Sequence, residues 1–340
     1  MLAVNEGARI DPTLDRGVFL LSLDTEMAWG DVRRSTPDPR ARLYDGTRYA
    51  VRHLLALLER YGVRATWAVV GHLFLDSCEM VGGLKHPEVE RAAYPWHAGD
   101  WFDADPCSDV QSAPAWYAPD LIDWILECPA PQEIGCHTFS HILVDDPGCS
   151  RGCFRSELRA CRALAERRGL ELRSFVFPRN GIAHLDVLKE EGFLAYRGNI
   201  EPPWTRFVPG GLRRPARLVR WAAPLFPLTA QPQRVGGLWN LPATTFFLHS
   251  IGVARAVPIR ARVVRAVRGI QRSIEERSIS HLYLHPFNLA SDPNGLLRGL
   301  EQVLATVARH RDAGRIDNPT MGELAEALSR RSVTAEVGGR

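Results

Sequence analysis

An α/β fold organised around a parallel sheet or barrel is what this 340-residue sequence predicts, and three observations predict it. Short apolar runs that read as buried strands alternate with amphipathic segments of helical period, which is the rhythm of βαβ units. The run VFLLSLD, Val18 to Asp24, is apolar almost throughout and ends in a carboxylate, as a buried strand does when its C-terminal end reaches a site. The length exceeds the commonest domain size, yet α/β barrels fill such a length as one domain.

The elements follow in order. After the first strand comes GTRYAVRHLLALLERYGV (46–63), helical in period and stopped by glycine, and then the strand RATWAVVG (64–71). Residues 76–130 break the rhythm with Trp96, Trp101, Trp116 and Trp124 set among prolines and glycines, which reads as an aromatic insertion or lid. The rhythm returns with EIGCHT (133–138), the helix 153–169, the strand RSFVFP (173–178), the helix 184–192 and the strand FLAYRG (193–198). From Pro202 to Ile274 no Asp or Glu occurs, while Arg206, Arg213, Arg214, Arg217, Arg220, Arg234, Arg255, Arg260, Arg262, Arg265, Arg268 and Arg272 all fall there. The chain closes with the strand SISHLYLHPF (278–287) and helices over 295–310 and 321–330. One domain over residues 1–340 is expected, carrying these two irregular segments.

Composition narrows the function. A net charge of +3 is too small to imply a nucleic-acid partner. No run of eighteen apolar residues appears, so no spanning helix is expected. The first residues lack an apolar signal core, so a cytoplasmic location is expected. The seven cysteines, Cys78, Cys107, Cys128, Cys136, Cys149, Cys153 and Cys161, are odd in number and are read as reduced thiols; Cys149 and Cys153 lack a CxxC partner pair.

Two motifs carry chemistry. In PQEIGCHTFSHILVDD, His137 and His141 stand four apart; on a helix or helical turn they share one face and make half of a zinc site. In LSLDTEMAWG, Asp24 and Glu26 alternate and so face one way at a strand end. Buried carboxylates are costly unless paired or bound to a cation. One carboxylate with two histidines is a recurrent catalytic zinc set with a position left open for water, and the second carboxylate is then free to act as a base. In the strand HLYLH, His281 and His285 also face one way, so they compete for whatever role an imidazole has at that strand end. His53, His184 and His249 lack ligand-type partners at suitable spacing and read as structural or solvated.

Five motifs in one order resemble the polysaccharide deacetylases, the NodB-homology or carbohydrate esterase family 4 group: FLLSLDTEMAWG, RATWAVVG, EIGCHTFSH, FVFPRNGIAHLDVLKEEGFLAYRG and LYLHPFNL. They cover most of the chain apart from the insertion and the arginine-rich segment. The resemblance implies a distorted (β/α) barrel with its site at the strand C-terminal ends. It implies one divalent ion, Zn2+ first, held by Glu26, His137 and His141, with Asp24 as general base and His285 as the acid toward the leaving amine. It places Arg179 as the arginine paired with the base, and points to Asn180 and Trp29 as substrate contacts. Two departures stand out: Asp24-Thr25-Glu26 replaces an adjacent acid pair, leaving Thr25 or Glu26 for the ligand position, and FPRN replaces a commoner Arg-x-Pro-x-Gly pattern. The implied activity removes an N-acyl group, acetyl first, from an amino sugar; deformylation or other C–N hydrolysis on the same fold, and a catalytically inactive sugar-binding module, are the alternatives. The arginine-rich segment suggests a nucleotide- or lipid-linked sugar made inside the cell, or contact with an anionic membrane surface.

Overall fold

The computed structural model describes residues 14–31, 41–200 and 228–338. Twelve strands lie among them. The first, β1 (Gly17–Thr25), is buried at every position, as its apolar run requires of a strand covered on both faces. The others are β2 (Thr66–Val69), β3 (Met80–Val81), β4 (Leu84–Lys85), β5 (Glu133–Cys136), β6 (Ser174–Val176), β7 (Ala195–Arg197), β8 (Gln233–Val235), β9 (Leu238–Asn240), β10 (Thr245–Phe246), β11 (Ile279–Leu284) and β12 (Ile316–Asp317). The main sheet runs β10-β11-β1-β2-β5-β6-β7-β9-β8, with β12 paired to β1. Every pairing in it is parallel except β8 with β9. The sheet curls into the expected distorted barrel, left open between β10 and β8.

Helices cover the sheet. They are α1 (Ala41–Tyr61), α2 (Pro119–Leu126), α3 (Arg151–Glu166), α4 (Leu185–Glu190), α5 (Ile259–Glu276), α6 (Pro293–Asp312) and α7 (Met321–Gly338). Helix α1 buries Thr47, Ala50, Val51, Leu54, Leu55 and Leu58, the stripe its period predicts. It stops at Gly62, whose φ of 57° a glycine adopts at no steric cost. Helix α3 starts where the Ser150 side chain accepts from the Cys153 N–H, and buries Phe154, Glu157, Leu158, Cys161 and Ala165. Helix α5 and strands β8 to β10 lie in a stretch where no strand or helix was expected.

The insertion contains the β3–β4 hairpin, a short 3-10 turn (Trp101–Ala104) and α2. Its Tyr94, Trp101, Phe102 and Tyr117 are buried, so it packs as part of the body rather than standing off it. All seven cysteines are free. No helix among the described residues is long and apolar enough to cross a membrane.

The arginine-rich segment is described only from residue 228 onward, so Arg206, Arg213, Arg214, Arg217 and Arg220 lie outside the described residues. Of the others, Arg262 is buried and donates to the carbonyls of Leu248, Ala254 and Val257, tying down the loop before α5. Arg234 lies over the Trp239 ring, and Arg272 pairs with Glu276. Each of these three thus has a partner within the chain.

Candidate metal centre and active site

Strand register brings the chemistry together. Val69 of β2 is paired with Thr25 on one side and Cys136 on the other, so the next residues, Glu26 and His137, leave the sheet at one level. Leu284 pairs with Leu23, which sets His285 beside Asp24. Arg197 ends β7 opposite Val176 of β6. All of these lie at the C-terminal ends of parallel strands, where barrels of this class place their sites.

The Glu26 Oε2 lies 2.9 Å from His141 Nε2 and 3.4 Å from His137 Nε2. All three residues are buried. His137 Nδ1 is 2.7 Å from the Val176 carbonyl, which can only accept, so Nδ1 carries the hydrogen and Nε2 presents its lone pair to the site. The two histidines do not share a helical face, contrary to the spacing argument. Thr138 and His141 have φ of 60° and 57°, so the loop doubles back on itself. Left-handed backbone at non-glycine residues costs on the order of 1 kcal/mol each. Glu157 of α3 offsets this: its carboxylate accepts from the N–H groups of Phe139 and Ser140 and from the Ser140 hydroxyl at 2.6–2.8 Å. Burial pushes the Glu157 carboxyl up to about 7 despite those donors.

Thr25 is buried, with its hydroxyl donating to Leu23 O. Glu26 is therefore the acid that meets the histidines. Burial pushes its carboxyl up, but His285 and His141 outweigh burial and hold it well below the usual value. Gly30 makes room for it: a Cβ there would stand 2.2 Å from Glu26 Oε1.

Asp24 is held by a guanidinium, though not that of Arg179. Arg197 donates through Nη1 to Oδ1 (2.5 Å) and through Nη2 to Oδ2 (2.7 Å). Burial raises the Asp24 carboxyl, and Arg197 outweighs it and leaves the group below its usual value. Arg179 is exposed, on a turn where it and Asn180 both have positive φ; its charge is felt at His141 instead. The reason is topological. The turn after β6 points Arg179 outward, whereas Arg197 is within β7 and faces the barrel interior. Asn180 accepts from Arg197 Nη2 at 3.2 Å, which makes it a support for that guanidinium. Trp29, expected near substrate, is fully buried: its ring lies 4.5 Å from the His72 ring and its indole N–H donates to Trp116 O. The short helical turn after Glu26 folds it into the core.

His285 Nε2 is 3.5 Å from Glu26 Oε1 and 3.7 Å from Asp24 Oδ2. Its side chain is 23% exposed against 9% or less for the two acids, so it forms the open side of the site. Asn288 Nδ2 lies 3.4 Å from His285 Nδ1 and can donate to it, which leaves the ring hydrogen on Nε2. His281 is enclosed, with Nδ1 donating to Leu241 O and Nε2 accepting from Ser22 Oγ. Burial and then Arg197 bring its pKa down to about 3, so it stays neutral behind the site.

Sequence reasoning missed Arg197. Its only signal was an arginine closing an apolar strand, the same position at which Asp24 closes β1. It also missed a second histidine–carboxylate group, His72, His86 and Asp105, spaced with no motif.

No protein-family model matches the sequence, and no curated protein matches it. Solved structures do match in fold. A protein from Mycobacterium smegmatis assigned to the polysaccharide deacetylases aligns at 15% identity over 94% of this chain and 92% of that one, with a TM-score of 0.59. Puue allantoinase aligns at 12% identity over 91% and 88%, with a TM-score of 0.54. The fold is that of the polysaccharide deacetylases.

Proposed function

We propose that this chain, with the fold of the polysaccharide deacetylases, is a metal-dependent amide hydrolase that removes an N-acyl group, acetyl first, from an amino sugar. The observation that carries the reading is the convergence of Glu26, His137 and His141 on one point flanked by Asp24 and His285. Two imidazole nitrogens and one carboxylate oxygen suit zinc, and the His137 ring is already turned by Val176 to present its lone pair. When bound there, a divalent ion supplies a Lewis acid toward the amide carbonyl and lowers the pKa of water.

The chain's own groups divide the proton work. Asp24, kept ionised by Arg197, takes the proton of the attacking water. Arg197 and Asn180 hold that carboxylate in place. His285, open to the substrate side, delivers a proton to the leaving nitrogen, a task for which an imidazole near neutrality is suited.

A second reading, hydrolysis of another small C–N substrate, is favoured by the similar TM-score to an allantoinase. A nucleotide- or lipid-linked sugar is the finer proposal, supported by the one-signed charge from Pro202 to Ile274. Zinc-loaded protein assayed against N-acetylated and N-formylated amino sugars, free and nucleotide-linked, tests the set. Release of acetate abolished by chelator supports the first reading. Turnover of none of these, with hydrolysis of a small cyclic amide, replaces it with the second.

A further inference from the structure

His72, His86 and Asp105 come from three separate places: the turn after β2, the residue after β4, and the residue after the Trp101–Ala104 turn. Among the described residues they form a second group able to hold a metal, and all three are buried. His72 Nε2, His86 Nε2 and Asp105 Oδ2 form a triangle with all three edges 3.1 Å.

Hydrogen bonding alone satisfies this triangle poorly. His72 Nδ1 lies 3.1 Å from the Trp116 carbonyl, which can only accept, so the hydrogen of a neutral His72 ring is on Nδ1. Its Nε2 lone pair then faces a carboxylate oxygen, acceptor against acceptor, in a site closed to water. Even with its hydrogen on Nε2, His86 would serve one edge only. A cation at the centre serves all three. Bonds of about 2.0–2.1 Å at the tetrahedral angle set ligand atoms about 3.3 Å apart, close to the triangle observed.

The surroundings are those of an oriented ligand set. The other Asp105 oxygen accepts from the Tyr117 hydroxyl and the Cys107 N–H, each at 2.9 Å. The Trp116 carbonyl turns the His72 ring. Such outer partners fix a ligand's tautomer and direction.

We propose that His72, His86 and Asp105 bind a second divalent ion, of the zinc class, which pins the insertion to the barrel. Regular structure holds this part of the chain weakly, since β3 and β4 have two residues each. The ion joins both sides of it to the turn after β2. It also backs the first centre. Phe139, between His137 and His141, has its ring edge-on to His72 (5.6 Å) and His86 (5.0 Å). The N–H groups of Gly71 and His72 donate to the carbonyls of Thr138 and Phe139. Trp29, three residues past Glu26, packs on His72. The proposal stands on its own residues and does not depend on the hydrolase reading.

Elemental analysis of the full-length chain after dialysis against metal-free buffer tests it. Wild type is expected to retain about two ions per chain, and Asp105→Asn about one, since metal affinity rests on the ligating carboxylate. A variant with Glu26→Gln, His137→Ala and His141→Ala leaves the second group untouched and is expected to keep about one ion, with visible bands of tetrahedral cobalt after exchange into Co2+. That variant decides the matter even if Asp105→Asn does not fold. Retention of an ion by the triple variant when wild type also holds only one upholds this site and removes the first. A triple variant that folds but holds no ion overturns the proposal and leaves a hydrogen-bonded triad.

Discussion

Arg197 grips Asp24 through both carboxylate oxygens, with side chains 1% and 5% exposed. A buried pair of this kind leaves an uncompensated charge when one member is removed, at a cost of roughly 3–5 kcal/mol. Because the Asp24 pKa is lowered in the folded chain, the stability this group contributes is present above its unfolded value near 4 and is lost as pH falls through the lower, folded value. Arg197→Lys keeps a charge but not the fork. It is expected to slow turnover at least tenfold and to move the acidic limb of the pH–rate profile upward, as burial then raises Asp24. Arg197→Met is expected to destabilise in denaturant titrations by the larger figure. An acidic limb unmoved in Arg197→Lys excludes this role.

Asp24 and Glu26 are expected to fail differently. Asp24→Asn should keep its metal and lose about a hundredfold or more in rate, the scale of a missing general base. Glu26→Gln should lose metal first. Metal content measured beside turnover separates them, and the opposite pattern reverses the two roles.

Gly30 offers a test that leaves every ligand residue in the sequence. The clash of a new Cβ is with the far end of a flexible side chain, Glu26, so Gly30→Ala is expected to fold with a Tm near wild type. The displaced carboxylate should weaken zinc binding by roughly tenfold to a hundredfold, the scale of disturbed ligand orientation. Unchanged affinity in competition with a chelating dye would show that Glu26 is not held by this approach.

His285 and His281 are separable by substrate. His285→Ala is expected to slow turnover by about a hundredfold, the scale of a missing general acid, and to regain most of that rate on an amide whose leaving amine needs no protonation. His281→Ala should show no such substrate dependence and lower stability instead, since Ser22 and Leu241 lose a buried partner. If His281→Ala alone shows that rescue, the acid has been misassigned.

Much of this was legible in local chemistry. The apolar run ending at Asp24, the glycine stop after α1, the parallel βαβ order, and the candidate ligands Glu26, His137 and His141 are all features of short stretches, because period, turn residues and donor type are local properties. The four-residue spacing of the histidines was legible too, but its geometry was not. The rings converge through left-handed backbone at Thr138 and His141, held by Glu157 from another element, and no helix carries them.

What the sequence by itself determined is the architecture and the donor types gathered at the strand ends, since each follows from residue types at fixed local spacing. The tertiary structure alone decided which arginine meets Asp24, which histidine opens to solvent and where Trp29 lies. Along the chain the motif points to Arg179; the curl of the sheet turns that residue outward and buries Arg197 against a carboxylate 173 residues away. Only that same closure could bring His72, His86 and Asp105 to one point, because their meeting depends on an irregular insertion folding back onto the barrel, and no period or motif encodes it.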